Sequence, residues 1–269
     1  MKIEKYNQRL LAILGTLIVV FLIVALIAFI SITIIENRRF NNNDKGILSD
    51  EKIEQLQKEN KREQIISYET PILIDTLKSK YIIPVSYRNL KKKEDINGLL
   101  NATSSANYEK TDNRYSRAFY GEFNNVIVYN SINNIKKKLF NKRVNFNDIK
   151  TEYFDDDILL LIKASDKDTH KDGVINLDDF KSLYFYSFTQ NQSKKIGIEN
   201  MDVYNYKFLN NSKDLIIEFG VDKNKNGRYE NYNEPIIIKK YDFKTGKLIN
   251  VIDKEMNSEL QNTLEGTKK

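Results

Sequence analysis

The chain has 269 residues, 41% of them hydrophobic and 30% charged, with a formal net charge of +6 and neither cysteine nor tryptophan. Without cysteine it cannot form disulfides, iron–sulfur clusters, thiolate zinc sites, an acylated-cysteine lipid anchor or a cysteine nucleophile. Residues 1–39 hold five basic and two acidic side chains, so the other 38 basic and 35 acidic groups make a mixed-sign surface, which excludes a nucleic-acid footprint.

Residues 1–9 are expected to be a short cytoplasmic tail. Residues 10–35, "LLAILGTLIVVFLIVALIAFISITII", carry no charge over 26 positions. At 1.5 Å per helical residue this run outreaches the roughly 30 Å hydrocarbon core, which predicts a transmembrane helix. It is too long for the apolar region of a cleaved signal peptide, and "SITIIENRRF" has no small-residue cleavage motif. Lys2, Lys5 and Arg9 before the run outnumber Arg38 and Arg39 after it, which places the N-terminus inside. The expectation is a single-pass protein of a bacterial inner membrane, its C-terminal domain periplasmic or extracellular. Residues 36–64 are expected to form a helical or flexible stalk, with Ser49 capping a helix near Asp50.

From Ile65 the pattern turns strand-like: "IISYE", "PILIDTL", "YIIPVSY", "NNVIVYN". Sixteen Tyr and fourteen Phe suit that reading. Residues 65–253 are predicted to be a mainly β, antiparallel domain, interrupted by a polar surface loop at 91–116 and followed by a polar tail at 254–269. Within the domain, residues 151–198 and 203–253 run through the same order of strand, turn, strand, acidic loop, strand, turn, strand. "NNVIVYNSINNIKKKLFN" resembles the last two strands of a third, degenerate unit. Such units predict repeated four-stranded meanders, as in a propeller blade or a sandwich.

Each repeat carries a loop with the spacing of a twelve-residue calcium loop. In "DTHKDGVINLDD", Asp168 is position 1, His170 position 3, Asp172 position 5 and Gly173 position 6. Val174 follows at 7, Asn176 at 9 and Asp179 at 12. In "DKNKNGRYENYNE", Asp222 is position 1, Asn224 position 3, Asn226 position 5 and Gly227 position 6. Arg228 would lend its carbonyl at 7, with Glu230 at 9, Asn233 at 12 and Glu234 beside it. A hard cation takes six to eight oxygens, which alternate residues of a curled loop supply, and glycine permits the sharp bend. His170 is a poor calcium ligand, so Asp166 is a candidate to replace it. The second loop is short of carboxylates, and both are expected to bind weakly, in the roughly 10⁻⁴–10⁻³ M extracellular range. The alternative is that Asp, Asn and Gly simply build polar hairpin turns.

Over roughly residues 118–253, the two loops set between strands resemble those of bacterial propeller-like proteins related to the periplasmic Tol-system propeller. They are also similar to single-anchor proteins of Gram-negative bacteria with the same two-loop arrangement. The resemblance implies blade-type sheet and calcium at the matched positions, and it implies no chemistry. At most three units are visible, fewer than the four a closed propeller needs.

No catalytic residue stands out. The only histidine lies in an aspartate loop, and no G-x-S-x-G, P-loop, H-E-x-x-H or Rossmann fingerprint is present. Asp155–Asp157 and Asp178–Asp179 are acidic clusters that turn composition and ligation explain. The expected function is a membrane-anchored, calcium-binding scaffold or accessory subunit of an envelope complex. Its partners would be the bilayer and another envelope protein or a second copy. The alternative is a calcium-dependent envelope hydrolase or glycan-binding module. Lysine runs 91–93 and 136–138 read as guards on sheet edges.

Overall fold

The computed structural model describes residues 13–27, 29–30, 46–90, 116–210 and 212–266. The chain divides into two units, Met1–Asp44 and Lys45–Lys269. In the first, residues 13–27 and 29–30 are helical. Among the described residues no helix is long and apolar enough to cross a membrane. The predicted span extends over residues 10–12, 28 and 31–35, which lie outside the described residues. So do the predicted tail at 1–9, stalk residues 36–45, and the surface loop except Ser116.

The second unit is mainly β and antiparallel. It begins with β1 (Ile47–Leu48) and helix α1 (Asp50–Lys58), followed by β2 (Gln64–Tyr68), β3 (Ile72–Asp75) and β4 (Lys80–Asn89). Next come β5 (Ser116–Asn130), β6 (Ile135–Lys138), β7 (Phe146–Tyr153), β8 (Ile158–Ser165), β9 (Val174–Ile175), β10 (Lys181–Ser187) and β11 (Gln192–Ile196). The chain then forms β12 (Met201–Phe208), β13 (Leu215–Val221), β14 (Ile236–Asp242), β15 (Lys247–Asn250) and helix α2 (Lys254–Glu265).

Nine strands form one sheet in the order β11-β10-β8-β7-β5-β4-β2, with β3 added to β4 and β6 to β5. The fifteen-residue β5 pairs through its first half with β7 and through its second half with β4 and β6. Register shifts between Tyr120 and Phe123, and between Val85 and Ser86, bend the sheet there. Gly121 sits in that bend, where a Cβ would lie 2.5 Å from the Phe123 ring. The curled face encloses a core that includes Ile82, Val126, Phe146, Ile149, Leu160, Ile162 and Tyr186. Lys136–Lys138 lie exposed on β6, which pairs only with β5 among the described residues, while Lys91–Lys93 are outside them.

A four-stranded sheet, β12-β13-β14-β15, packs on the other face of the first. Strand periodicity explains how. In "ILLLI", Leu160 and Ile162 enter the curled core, whereas Leu159 and Leu161 face the second sheet. Leu183 and Phe185 of β10 follow the same rule, meeting Val203, Leu215, Ile217 and Phe219. β8 and β10 are thus buried on both faces, which is why their sequence is nearly continuously apolar.

Strands β7, β8, β10 and β11 pair in chain order, as do β12 to β15. The first set is no free blade, because β7 also pairs with β5 and continues into the larger sheet. The hairpin β5–β6, expected as a degenerate third unit, is part of that same sheet. Neither a closed barrel nor a propeller forms among the described residues.

The structure adds detail to two segments at the ends of this unit. The predicted stalk is docked from Gly46 onward: β1 pairs with β9, Ser49 caps α1, and Leu56 is buried. Its apolar positions, too few for a coiled coil, are enough to hold one short helix on a sheet. The predicted polar tail forms α2, capped by Asp253, whose side chain accepts the Met256 N–H at 2.8 Å.

Candidate metal centre

The two acidic loops link equivalent strands, β8 to β10 and β13 to β14, and they fold alike. Position 4 is left-handed in both, with φ of 58° at Lys171 and 59° at Lys225. Glycine follows two residues on, with φ of 93° and 83°. The position-1 carboxylate turns back onto the loop, accepting Gly173 N–H at 2.9 Å in the first and Gly227 N–H at 2.9 Å in the second. Position 5 accepts the N–H of position 7 at 3.0 Å in each.

Positions 5 and 9 exchange roles between the loops. In the first, the Asn176 amide donates to the Asp172 carboxylate at 3.2 Å; in the second, the Asn226 amide donates to the Glu230 carboxylate at 3.1 Å. Each loop therefore keeps one amide and one carboxylate at this pair.

The closing carboxylate is where spacing alone misleads. Asp179, only 1% exposed, accepts the N–H groups of Thr169 at 2.6 Å, His170 at 2.9 Å and Asn176 at 2.9 Å. In the second loop the same three positions donate to Glu234: Lys223 at 2.7 Å, Asn224 at 3.2 Å and Glu230 at 2.9 Å. Glu234 is thus the counterpart of Asp179. Asn233 at position 12 is exposed, and its amide reaches the Glu230 carboxylate at 3.5 Å. The second loop takes one more residue, a turn over 231–233, to bring a buried carboxylate to this point. Asn233→Ala is therefore expected to change the melting temperature by less than about 2 °C. Glu234→Ala, leaving three amides without their acceptor, should lower it by about 5 °C or more. Thermal melting of the two variants checks the order.

His170 and Asp166 take other roles. The His170 Nδ1 lies 3.0 Å from the Asn226 carbonyl oxygen, so Nδ1 carries the proton and donates across to the second loop. Asp166 is drawn away from the first loop by Lys142, by Lys195 at 2.8 Å and by the Tyr184 hydroxyl at 3.0 Å. Burial opposes its ionisation, but those two ammonium groups prevail and hold the carboxyl down at about 2. Asp166 does not cover for the histidine.

The loops lie against each other. The Thr169 hydroxyl donates to the Gly227 carbonyl at 2.6 Å, and Asp179 and Arg228 form a β-bridge. A Cβ on Gly227 would sit 1.9 Å from the Thr169 carbonyl oxygen. From the other side β1 pairs with the first loop, Ile47 with Ile175 and Leu48 with Val174, over a small core of Ile47, Tyr87 and Ile175. Thr169 and residues 46–48 were not legible as parts of this assembly. The only sequence signal was the apolar Ile175 at position 8.

Among the described residues, no three or more His, Cys, Asp or Glu side chains gather into a group that could hold a metal. Any cation held here must take amide and backbone oxygens as well. The donor set is of that kind: Asp168, Asp172, Asn176 and the Val174 carbonyl in one loop; Asp222, Asn224, Asn226, Glu230 and the Arg228 carbonyl in the other. All are hard oxygen donors, which fits calcium rather than zinc or copper. The Arg228 guanidinium bonds the Glu230 carboxylate at 2.7 Å and holds it below its usual range, so part of the second loop's charge is already matched. Comparison with protein-family models, with curated proteins and with solved structures finds no match to this chain.

Proposed function

We propose that this chain is a membrane-anchored, extracytoplasmic calcium-binding β protein that acts as a scaffold or accessory subunit. The observation that carries the calcium reading is the shared hydrogen-bond pattern of the two loops at equivalent junctions of two meanders. A polar turn needs no such agreement at positions 1, 4, 5, 6 and 9 and at the closing carboxylate. The anchor rests on the uncharged run at 10–35, and the exported location on the basic residues flanking it. Weak oxygen sites would be filled outside the cytosol and empty within it.

Calcium here would be structural. It would neutralise clustered carboxylates at the joint between the two loops and β1, stiffening the surface offered to a partner. The resemblance to propeller-like envelope proteins agrees with this role, although the sheets do not close into a propeller among the described residues.

The test is a calcium titration of the full chain in detergent, followed by thermal melting. At calcium ten to a hundred times the dissociation constant, each filled site adds about 1.4–2.7 kcal/mol. Two sites should therefore raise the melting temperature by roughly 5–15 °C. Magnesium at equal concentration should do much less, because it requires tighter octahedral geometry. Asp168→Ala combined with Asp222→Ala should abolish the calcium-dependent rise. A melting temperature indifferent to calcium at about ten times the 10⁻³ M upper bound would overturn the proposal.

A further inference from the structure

Two hairpin turns at one end of the nine-stranded sheet are built alike. The first, 75–80, joins β3 to β4, and the second, 130–135, joins β5 to β6. In each, the opening side chain accepts the N–H two residues on, Asp75 from Leu77 and Asn130 from Ile132, both at 3.0 Å. In each, the fifth residue is left-handed, with φ of 48° at Ser79 and 56° at Asn134. A third turn, 187–192 between β10 and β11, likewise has its fifth residue left-handed, with φ of 55° at Asn191. The three are tied together. Ser131 N–H donates to the Ser79 carbonyl at 3.1 Å, Lys80 Nζ to the Phe188 carbonyl at 2.8 Å and Lys137 Nζ to the Asn191 carbonyl at 2.8 Å.

Turn chemistry explains the opening and left-handed residues, but not what stands at the third position. There the third turn has the polar Thr189, whereas the first two carry Leu77, 92% exposed, and Ile132, 73% exposed. Ile135, 60% exposed, follows the second. One exposed apolar residue would need no explanation, but two at the same position of adjacent turns form a patch. Lysines surround it: Lys78 and Lys80 on the first hairpin, Lys136, Lys137 and Lys138 on β6. Among the described residues none of the five forms an ion pair. The neighbouring acids are Asp75, turned into its own turn, and Asp155, Asp156 and Asp157 of the β7–β8 turn, where Asp156 pairs with Lys213 at 2.7 Å. Over these four turns, β6 and Lys213, six basic side chains stand against four acidic ones, a net +2. One residue into β4 and β5, Tyr81 and Tyr129 pair across the strands with ring centroids 6.3 Å apart.

We propose that this end of the β unit is a contact for an anionic lipid bilayer. Leu77 and Ile132 enter the headgroup layer, the lysines meet lipid phosphates, and the tyrosine pair lies at the boundary. Lysine is depleted from protein interfaces, and two apolar tips fall short of the roughly 800 Å² per partner that a stable protein contact buries. A bilayer accepts such tips singly, to a depth of about 5–10 Å. The contact is separate from the uncharged run at 10–35 and from the acidic loops, and it requires neither.

Without cysteine in the chain, an introduced thiol carries the only label. Full-length Leu77→Cys and Ile132→Cys chains, labelled with a polarity-sensitive fluorophore, are reconstituted into vesicles of nitroxide-labelled phosphatidylcholine, with or without about 30% phosphatidylglycerol. A blue shift and nitroxide quenching are expected at both positions in the anionic vesicles. Quenching should be weaker by about threefold or more without phosphatidylglycerol, or in about 0.5 M salt. The same label in a Tyr232→Cys chain, at a 98% exposed position beside the second acidic loop, should be quenched little. Leu77→Asp in the Ile132→Cys chain should abolish quenching and leave the melting temperature unchanged, because so exposed a side chain packs on little. Unquenched tips, quenching at Tyr232→Cys as strong as at the tips, or quenching that survives Leu77→Asp would overturn the proposal. So would a crosslink from either tip thiol to a protein in native membranes.

Discussion

Alanine at Gly227 is expected to cost at least twice as much stability as alanine at Gly173, although both hold position 6 of their loops. Each substitution places a side chain at positive φ, at a cost of about 1–2 kcal/mol. At Gly173 nothing lies within 4 Å of the added Cβ, and the cost ends there. At Gly227 the Cβ would meet the Thr169 carbonyl oxygen at 1.9 Å and its carbon at 2.6 Å, both backbone atoms. Only separation of the loops relieves that clash. It forfeits the Thr169–Gly227 and His170–Asn226 hydrogen bonds, for a total of about 3–5 kcal/mol. Denaturant melts of the two variants decide the matter, and equal losses would show that the loops are not seated against each other. If calcium binds both loops, Gly227→Ala should also weaken the first loop's response to calcium, because Thr169 and His170 belong to that loop.

Asp179→Ala should be the most damaging single change in the first loop. The carboxylate receives three backbone N–H groups at or below 2.9 Å, and its burial leaves water little access to replace it. Burial pushes its carboxyl above the ordinary value, while the His170, Asn176 and Thr169 amides pull it back down. Each stranded donor costs about 1–3 kcal/mol, so a total loss of about 3–5 kcal/mol is expected after partial relaxation. Asp179→Asn keeps one acceptor oxygen and should lose about half as much. Chemical denaturation of both variants gives the ranking, and an alanine variant within about 1 kcal/mol of the parent would defeat it. The same change should loosen β1, since Asn176, which follows β9 directly, is held by Asp179 through its N–H.

The alternation of apolar residues from Ile65 onward, together with the tyrosine and phenylalanine content, was enough to mark an antiparallel β domain. Both loops were legible too, because Asp, Gly and Asn at fixed offsets leave few local conformations. The closing residue of the second loop was not. Spacing put Asn233 at position 12 with Glu234 beside it, and only the fold shows that Glu234, the longer side chain, is the one that reaches the same three amides. The histidine was equally ambiguous, since its role depends on the Asn226 carbonyl, 56 residues away. Nothing in "KGIL" announces that Ile47 will pair with Ile175, because a two-residue strand has no periodicity.

Local chemistry alone therefore determined the strands, the turn glycines, the oxygen-donor loops and the long uncharged run, each set by neighbours within a few residues. Tertiary structure decided which faces of β8 and β10 meet which sheet, that the first meander merges into a larger sheet, and that the two loops and β1 share one joint. It also decided that Asp166 belongs to Lys142 and Lys195 rather than to the first acidic loop. These outcomes rest on contacts between segments far apart in sequence, where burial and backbone hydrogen bonding choose among partners that local pattern leaves equivalent.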